Sequence, residues 1–255
     1  MKGEKFNMIK DILELKNNFE EIKSMGWIMS KRKGSTGIGY TFESLLNMKE
    51  NSLEIPDYKS IEIKTQRTKS KSYVCLFNAA PDGDNSCEIE RLRNNYGYPD
   101  KILKNCKIIN CDVFGNKLKN LGSKYKTKLL VDWKNKKLRL IILDNCLQIV
   151  DNNISWSFEL LEEKLFRKLN YLAFIKADSK FIYGVEYFRY CELNIYKLKS
   201  FNKFIKLIEK GIIKITFKIC VVHHGEKRGK TDNHGTGFSI SRENLSKLYD
   251  CIEFY

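Results

Sequence analysis

One short alternating segment constrains the fold of this chain more than any other feature. From Ser60 to Gln66 the sequence SIEIKTQ alternates polar and apolar residues with a period of two, which is typical of a β-strand with one buried face. The two isoleucines are predicted to point into the core, so Glu62 and Lys64 share the opposite face. Pro56-Asp57 ends the loop that precedes this strand. Three charged side chains are therefore predicted to lie close together around the start of one strand.

Hydrophobic periodicity predicts the other elements. Amphipathic helices are expected over residues 8–25, from about residue 39, over 157–169 and over 198–210. Strands are expected over 72–77, paired with the first strand, over 128–133 and 138–143 as a hairpin, and over 171–175 and 212–222. Residues 80–127 are interpreted as a polar inserted lobe with few regular elements, and 223–237 as a glycine-rich loop. The chain has no internal repeat or proline-rich linker and is expected to behave as one unit.

The charge balance indicates a polyanionic partner. The chain has 46 Lys and Arg against 31 Asp and Glu, a net charge of +15, which suits nucleic acid, with an anionic membrane surface as the alternative. No apolar run approaches the roughly 18 residues that span a bilayer, and the N-terminus lacks the apolar core of a signal peptide. The sequence therefore predicts a soluble, cytoplasmic protein. Its eight scattered cysteines are expected to be reduced, mostly buried thiols.

The three charged residues at the first strand suit phosphodiester hydrolysis. This reaction needs a metal to neutralise the non-bridging oxygens and a cation to orient the attacking water. Magnesium prefers oxygen ligands and keeps several waters, so Asp57, Glu62 and a backbone carbonyl suffice to hold it, with Lys64 beside them. The alternative is an exposed edge strand with an ordinary Glu-Lys pair, because 30% of the residues are charged and such a string can arise by chance.

A family resemblance strengthens the catalytic interpretation. The segments KRKGSTGIGYTFESLLN and PDYKSIEIKTQR resemble the MvaI/BcnI type II restriction endonucleases and, more distantly, the MutH mismatch-repair nickase. Five further segments are similar: LRNNYG (92–97), VDW (131–133), DNNISWSFELLEEKL (151–165), YLAFIKADSK (171–180) and GKTDNHGTGFSI (229–240).

The resemblance implies an α/β fold of the PD-(D/E)XK type, with a mixed central sheet flanked by helices and two lobes around a DNA cleft. It implies a catalytic lobe of about 1–78 and 128–180 and a DNA-recognition lobe of about 79–127 and 181–255. It also implies Mg²⁺-dependent cleavage, with Mn²⁺ able to substitute, of a short C/G-containing duplex site by a monomer that nicks one strand at a time.

Residue roles follow from the same resemblance. Asp57 and Glu62 match the metal-binding carboxylates, Lys64 matches the lysine that assists the attacking water, and Glu43 matches an additional acidic position of the MutH group. His234 and its neighbours resemble the element that contacts bases in the major groove. The sequence departs from the family there, because the resembling stretch reads HDHGTAFRI and this chain has Ser239 in place of the arginine. An arginine that makes two hydrogen bonds to guanine is the commonest specific base contact, so the resemblance does not determine which DNA sequence this chain recognises.

Charge and resemblance together predict the DNA-binding residues. They are Lys31, Arg32, Lys33, Ser35 and Thr36 in the N-terminal loop, then Arg67, Arg93, Tyr96, Lys227, Arg228, Lys230, Asp232, Asn233, His234 and Thr236. A solvated surface loop is the alternative for the N-terminal group, and scaffolding is the alternative for Arg93 and Tyr96. A zinc site at the three histidines is disfavoured, since no cysteine or carboxylate cluster completes a tetrahedral set there.

Three functions compete at this stage. The first is a restriction endonuclease, whose functional partner is a DNA methyltransferase that protects the host. The second is a MutH-like nickase that a partner protein activates. The third is a DNA-binding module without catalysis, which the intact set of Asp57, Glu62 and Lys64 argues against.

Overall fold

The computed structural model describes residues 2–48, 55–83 and 85–253, and within them all side chains except those of 2–6 and 85–87. The helices are α1 (Lys2–Ser24), α2 (Gly37–Leu45), α3 (Asn85–Tyr96), α4 (Phe158–Leu169), α5 (Phe201–Glu209) and α6 (Leu245–Leu248), with a 3₁₀ turn at Arg242–Asn244. The strands are β1 (Ile28–Met29), β2 (Glu62–Arg67), β3 (Tyr73–Asn78), β4 (Tyr98–Pro99), β5 (Lys107–Val113), β6 (Lys119–Leu121), β7 (Tyr125–Asp132), β8 (Lys137–Leu143), β9 (Ile149–Asp151), β10 (Ser155–Ser157), β11 (Tyr171–Ile182), β12 (Val185–Leu198), β13 (Ile213–Val221), β14 (Thr231–Ser241) and β15 (Tyr249–Cys251).

The first of two compact units comprises Met1–Ser72, Leu165–Lys199 and Tyr249–Tyr255. Its sheet has the order β1-β12-β11-β2, and β15 also pairs with β12. Strand β2 runs parallel to β11, which places Glu62 opposite Leu172. The apolar stripe of α1 packs in this core together with Ile61 and Ile63, all of them buried. The predicted inward orientation of the two isoleucines is thereby confirmed.

The second unit comprises Tyr73–Lys164 and Ser200–Leu248. It contains one sheet of order β3-β14-β13-β5-β4 and another of order β10-β8-β7-β6, with β9 paired to β8. Trp156 is fully buried and donates a hydrogen bond from Nε1 to the Ala79 carbonyl at 3.0 Å. This bond satisfies the one polar group of a large core side chain. The Ser200 hydroxyl accepts from the Lys203 N–H and caps α5.

The mixed α/β class is confirmed, as are the predicted helices near residues 8–25, 39, 157–169 and 198–210 and the 128–143 hairpin. The partner predicted for strand 72–77 is wrong: β3 pairs with β14, with Phe77 opposite Phe238. Residues 80–127 are also more regular than predicted, since they contain α3, β4, β5 and β6. Half of the predicted loop 223–237 belongs to β14, because main-chain pairing with β13 and β3 outweighs the poor strand propensity of its glycines.

Two further differences concern the cysteines and the units. Seven cysteines are free and none of the seven is fully buried, so the prediction of mostly buried thiols is wrong for them. The unit boundaries differ from the predicted lobes, because residues 128–164 lie in the second unit and 181–199 in the first. Residues 181–199 belong to the first unit because β12 pairs along its length with β11, which lies in that unit. Among the described helices none is long and apolar enough to cross a membrane.

Candidate active site

The loop that carries Asp57 is fastened to α1 by hydrogen bonds. The Tyr58 hydroxyl donates to Glu14 Oε1 at 2.8 Å, and Lys59 Nζ lies 2.6 Å from Glu14 Oε2. Burial and the Glu14 carboxylate raise the pKa of Tyr58 to about 12, so the phenol keeps its proton and remains a donor. Lys59 adopts a left-handed conformation with φ of 54°, which turns the chain into β2. These contacts fix where Asp57 lies relative to the strand.

The three predicted catalytic residues come together at the start of β2. Asp57 Oδ2 accepts a hydrogen bond from the Ile63 N–H at 3.1 Å, so the carboxylate is held against the strand. Lys64 Nζ lies 2.5 Å from Glu62 Oε1, as expected for side chains two residues apart on one strand face. The Glu62 side chain has no exposed surface, although β2 is the last strand in its sheet's order. An exposed edge pair, the alternative for this segment, is therefore ruled out.

Two residues that sequence analysis missed complete the surroundings of Glu62. Lys168, in the last turn of α4, places Nζ 3.4 Å from Glu62 Oε1. Tyr249, at the start of β15, is buried, and its hydroxyl has no hydrogen-bond partner among the described residues. Burial and the nearby charge of Glu62 raise the pKa of Tyr249. No local sequence signal marks either residue, because both reach Glu62 only through tertiary folding.

Burial dominates the electrostatics of this cluster. It raises the pKa of Glu62 from 4.5 to about 7, with Lys64 and Lys168 opposing the rise and the charge of Asp57 adding to it. Desolvation of the buried carboxylate thus outweighs the attraction of the two lysines. A carboxylate in this state gains strongly from a further positive charge.

The donor set fits a hard divalent cation. Glu62 Oε2 is buried without a hydrogen-bond partner among the described residues, and an unsatisfied buried carboxylate oxygen is costly unless a cation contacts it. Asp57 supplies a second carboxylate near enough to influence the pKa of Glu62. In the described ranges no cluster of three or more His, Cys, Asp or Glu residues could hold a metal. A metal here would therefore take its remaining ligands from backbone carbonyls and water, as magnesium commonly does.

Glu43 lies on α2, the helix that packs against β2. A Cβ atom added to Gly39 would lie 3.5 Å from Glu43 Oε1 and 3.3 Å from Thr65 Oγ1. The carboxylate thus lies close to the strand residue that follows Lys64. Burial, together with the charge of Glu43, raises the pKa of Tyr190.

The N-terminal basic loop precedes α2 in the same unit. Lys31, Lys33, Ser35 and Thr36 are exposed, and Thr36 begins the helix without a side-chain capping bond. Arg32 is half-buried, with its guanidinium 3.8 Å from the centre of the Tyr40 ring. The loop therefore presents two exposed lysines around a stacked arginine.

Arg67 holds that loop in place. Its guanidinium makes two hydrogen bonds of 2.7 Å to the Glu186 carboxylate and donates to the carbonyls of Gly34 (3.2 Å) and Ser35 (3.3 Å). Glu186 is buried. Arg67 therefore links β2, β12 and the basic loop, and four of its five N–H donors are occupied within the protein.

In the second unit, Arg93 and Tyr96 are engaged within the protein. Arg93 is largely buried and lies 3.0 Å from Glu90 Oε2. The Tyr96 hydroxyl donates to Asp151 Oδ2 at 2.9 Å, and burial raises its pKa to about 12. Arg91 binds the same Asp151 oxygen at 2.6 Å. These contacts favour the scaffolding alternative for both predicted DNA-binding residues.

The segment between β13 and β14 carries three exposed cations, Lys227, Arg228 and Lys230. In β14 itself, His234 and Asp232 lie 3.2 Å apart through Nε2 and Oδ2, and both are well exposed. Asn233 is exposed as well, with its Oδ1 accepting from the Gly235 N–H. The remaining predicted residue is Thr236, and its side chain is buried at 2% exposure, away from the surface.

A concave face of the β3-β14-β13-β5-β4 sheet surrounds His234 and was not predicted. It encloses about 360 Å³, and Asp112, Lys214, Thr216 and Lys218 line it together with His234. Asp112 accepts from Lys214 (2.6 Å) and Thr216 (2.7 Å), which lowers its pKa despite burial. The face thus offers fixed donors and acceptors beside an exposed histidine. It is assembled from four strands, which is why no single motif marked it.

The other two histidines do not join His234 in a cluster. His223 Nε2 lies 3.0 Å from Asp100 Oδ1, which also accepts from the backbone N–H groups of Ile102 and Leu103. His224 packs edge-on against His223. His223 is thus held by a loop carboxylate.

Comparisons with known proteins agree on one family. The profile of the MvaI/BcnI restriction endonuclease family matches residues 16–249. The structure of a complex of restriction endonuclease MvaI with its cognate DNA substrate is similar with a TM-score of 0.85 and 37% identity, over 93% of this chain and 96% of that one. MvaI in the absence of DNA is similar with a TM-score of 0.63 and 35% identity, over 95% and 96% of the two chains. No curated protein matches the sequence.

Proposed function

Because the chain belongs to the MvaI/BcnI restriction endonuclease family, we propose that it is a type II site-specific deoxyribonuclease. It hydrolyses phosphodiester bonds within a short C/G-containing duplex sequence, depends on Mg²⁺, and acts as a monomer that nicks one strand at a time. The observation that carries this proposal is the buried Glu62, which pairs with Lys64 near Asp57 and has one oxygen without a partner among the described residues.

In this proposal Asp57 and Glu62 hold the metal. When bound, Mg²⁺ neutralises the non-bridging phosphate oxygens and favours deprotonation of the attacking water. The Ile63 N–H keeps Asp57 turned towards the strand, and Lys64 holds Glu62 through Oε1, which leaves Oε2 for the cation. Glu43 is proposed to support the same cluster from α2.

Lys64 is proposed to orient the attacking water. Its Nζ lies at one Glu62 oxygen, and an ammonium group carries three N–H donors. A water hydrogen-bonded there is placed next to the carboxylates that bind the metal. Lys168 Nζ lies 3.4 Å from the same Glu62 oxygen. It provides a positive charge beside Glu62 when Lys64 binds the water.

Sequence recognition is assigned to the second unit. Base edges in the major groove present a distinct donor and acceptor pattern for each base pair. The sheet face around His234, with Lys214, Thr216 and Asp112, offers side chains of both kinds. Lys227, Arg228, Lys230, Asp232 and Asn233 are proposed to contribute contacts beside this face, and the N-terminal basic loop to contact phosphates.

The biological setting follows from this activity. A restriction enzyme acts on DNA in the cytoplasm, and its host needs a methyltransferase that modifies the same target sequence. That methyltransferase is a functional partner and need not bind the chain.

Plasmid cleavage tests the proposal. Purified protein is incubated with supercoiled plasmid in Mg²⁺, with EDTA and Asp57→Ala as controls, and the nicked, linear and fragmented products are separated and their ends sequenced. We expect nicked plasmid first and then discrete metal-dependent fragments that share one end sequence. Intact plasmid that remains bound to protein in Mg²⁺ would contradict the proposed nuclease.

A further inference from the structure

The tip of the β11-β12 hairpin exposes large apolar side chains. Phe181 is 70% exposed, Tyr183 is fully exposed, and Ile182 and Val185 are also in contact with solvent. Tyr183 (φ 48°) and Gly184 (φ 79°) form the two-residue turn, in which positive φ favours Asn or Gly over an aromatic residue. The turn thus holds Tyr183 at a conformational cost, and neither this ring nor that of Phe181 is buried, which favours contact with another molecule.

A groove of about 840 Å³ separates this tip from the basic loop. One wall carries Lys31 and Lys33, both exposed, and neither forms an ion pair with a carboxylate in the described part of the chain. The opposite wall carries Phe181 and Val185. Glu186 also lines the groove, but the two 2.7 Å bonds from Arg67 balance its charge. The groove is therefore cationic along one wall and apolar along the other.

A DNA strand has the same asymmetry, with anionic phosphates along one edge and apolar sugar and base faces along the other. Resting on the proposed function, we propose that this groove holds one strand of the duplex. The phosphates lie against Lys31 and Lys33, and the ring of Phe181 packs on the sugars and bases inside the groove. The ring of Tyr183, exposed at the tip beside the groove, contacts the adjoining part of the DNA. Combined cationic and aromatic contact is typical of grooves that bind a single strand, and apolar residues beside Lys or Arg recur where proteins wedge into duplex DNA.

A hairpin double variant tests the apolar wall. Phe181→Thr keeps a strand-forming residue, and Tyr183→Asn keeps a residue that tolerates the left-handed turn, so the hairpin is preserved. The matched control is Ile149→Thr with Leu147→Asn, which removes an exposed strand residue and an exposed residue at φ 65° from another turn. Binding of a short fluorescein-labelled duplex of random sequence is measured by anisotropy in EDTA. We expect the dissociation constant to rise about tenfold for the hairpin variant and to stay unchanged for the control.

The salt dependence of DNA binding distinguishes the contribution of the cationic wall from that of the apolar wall. Each lost phosphate contact lowers the slope of log affinity against log salt by about one. The variant Lys31→Ala with Lys33→Ala is therefore expected to reduce the slope by about two, whereas the hairpin variant should weaken binding at an unchanged slope. A hairpin variant that alters the slope, or a loop variant that does not, would contradict the assignment of the walls.

Other results would show that the groove does not hold DNA, or that the proposed nuclease activity is absent. Normal DNA binding by the hairpin variant, with cutting by the wild type intact, overturns the strand site and leaves the proposed nuclease. Normal DNA binding together with loss of self-association, measured by sedimentation, would make the tip a contact between copies and also overturn it. A wild-type protein that binds through the groove but never cuts plasmid in Mg²⁺ would contradict only the proposed nuclease.

Discussion

The substitution Glu62→Gln should stabilise the metal-free protein at neutral and alkaline pH. Burial raises the pKa of Glu62 from 4.5 to about 7. A carboxyl group whose pKa is higher in the folded state favours folding while it is protonated, so its contribution is fully present below pH 4.5. That contribution is lost as the pH rises towards and above 7, because the unfolded state releases the proton first. Glutamine keeps the shape and removes the charge.

The magnitude follows from the same values. Moving a carboxyl pKa from 4.5 to about 7 corresponds to about 3 kcal/mol of free energy of unfolding. The difference in stability between Glu62→Gln and the wild type should therefore grow by about 3 kcal/mol between acidic pH and pH values above 7.

Urea unfolding in EDTA across this pH range measures the effect. Glu20→Gln is the matched control, since Glu20 is well exposed and pairs with Lys23 on the helix surface. The control should follow the wild type at every pH. A stability difference for Glu62→Gln that does not change with pH, or that shrinks as pH rises, would refute the description of Glu62 as a desolvated carboxylate.

Three further predictions concern the residues around this cluster. Asp57→Asn should abolish the rise in thermal midpoint that Mg²⁺ gives the wild-type protein, measured by scanning fluorimetry; an equal rise in both proteins would remove Asp57 from the metal site. Lys168→Met should move the acidic limb of the cleavage pH profile to higher pH, because Lys168 lowers the pKa of Glu62; Lys23→Met is the control, and an unmoved limb would contradict the 3.4 Å contact. Arg67→Lys should cost about 2 kcal/mol of unfolding free energy, since lysine cannot replace the paired bonds to Glu186; urea unfolding that shows no loss would mean that these bonds do not hold the loop.

Local patterns predicted the elements whose signal lies within one segment. The alternation at Ser60–Gln66 identified β2, and the spacing of apolar residues identified α1, α4 and α5. The catalytic cluster could be predicted in part for the same reason: Asp57, Glu62 and Lys64 lie within eight residues of one another. The closeness of Glu62 and Lys64 depends on strand geometry alone, and Asp57 lies in the loop that leads into the same strand.

Long-range pairing explains what the sequence did not reveal. Strand β3 was paired with the nearest strand in sequence, the usual arrangement, but its partner β14 lies about 160 residues away. Lys168 and Tyr249 are separated from Glu62 by more than 100 residues, and parallel pairing of β2 with β11 accounts for the closeness of Lys168. The groove at the hairpin tip has the same origin, since β12 was not predicted at all and its turn exists only because β12 pairs with β11.

Asp57, Glu62 and Lys64 are proposed to form a hydrolytic centre distinct from the surfaces that bind DNA. Lys64→Ala tests this separation, with plasmid cleavage in Mg²⁺ and binding of the same DNA in EDTA measured side by side. We expect cleavage to fall by about a hundredfold or more while the dissociation constant for DNA stays close to that of the wild type. Retained cleavage, or a loss of binding as large as the loss of cleavage, would contradict it.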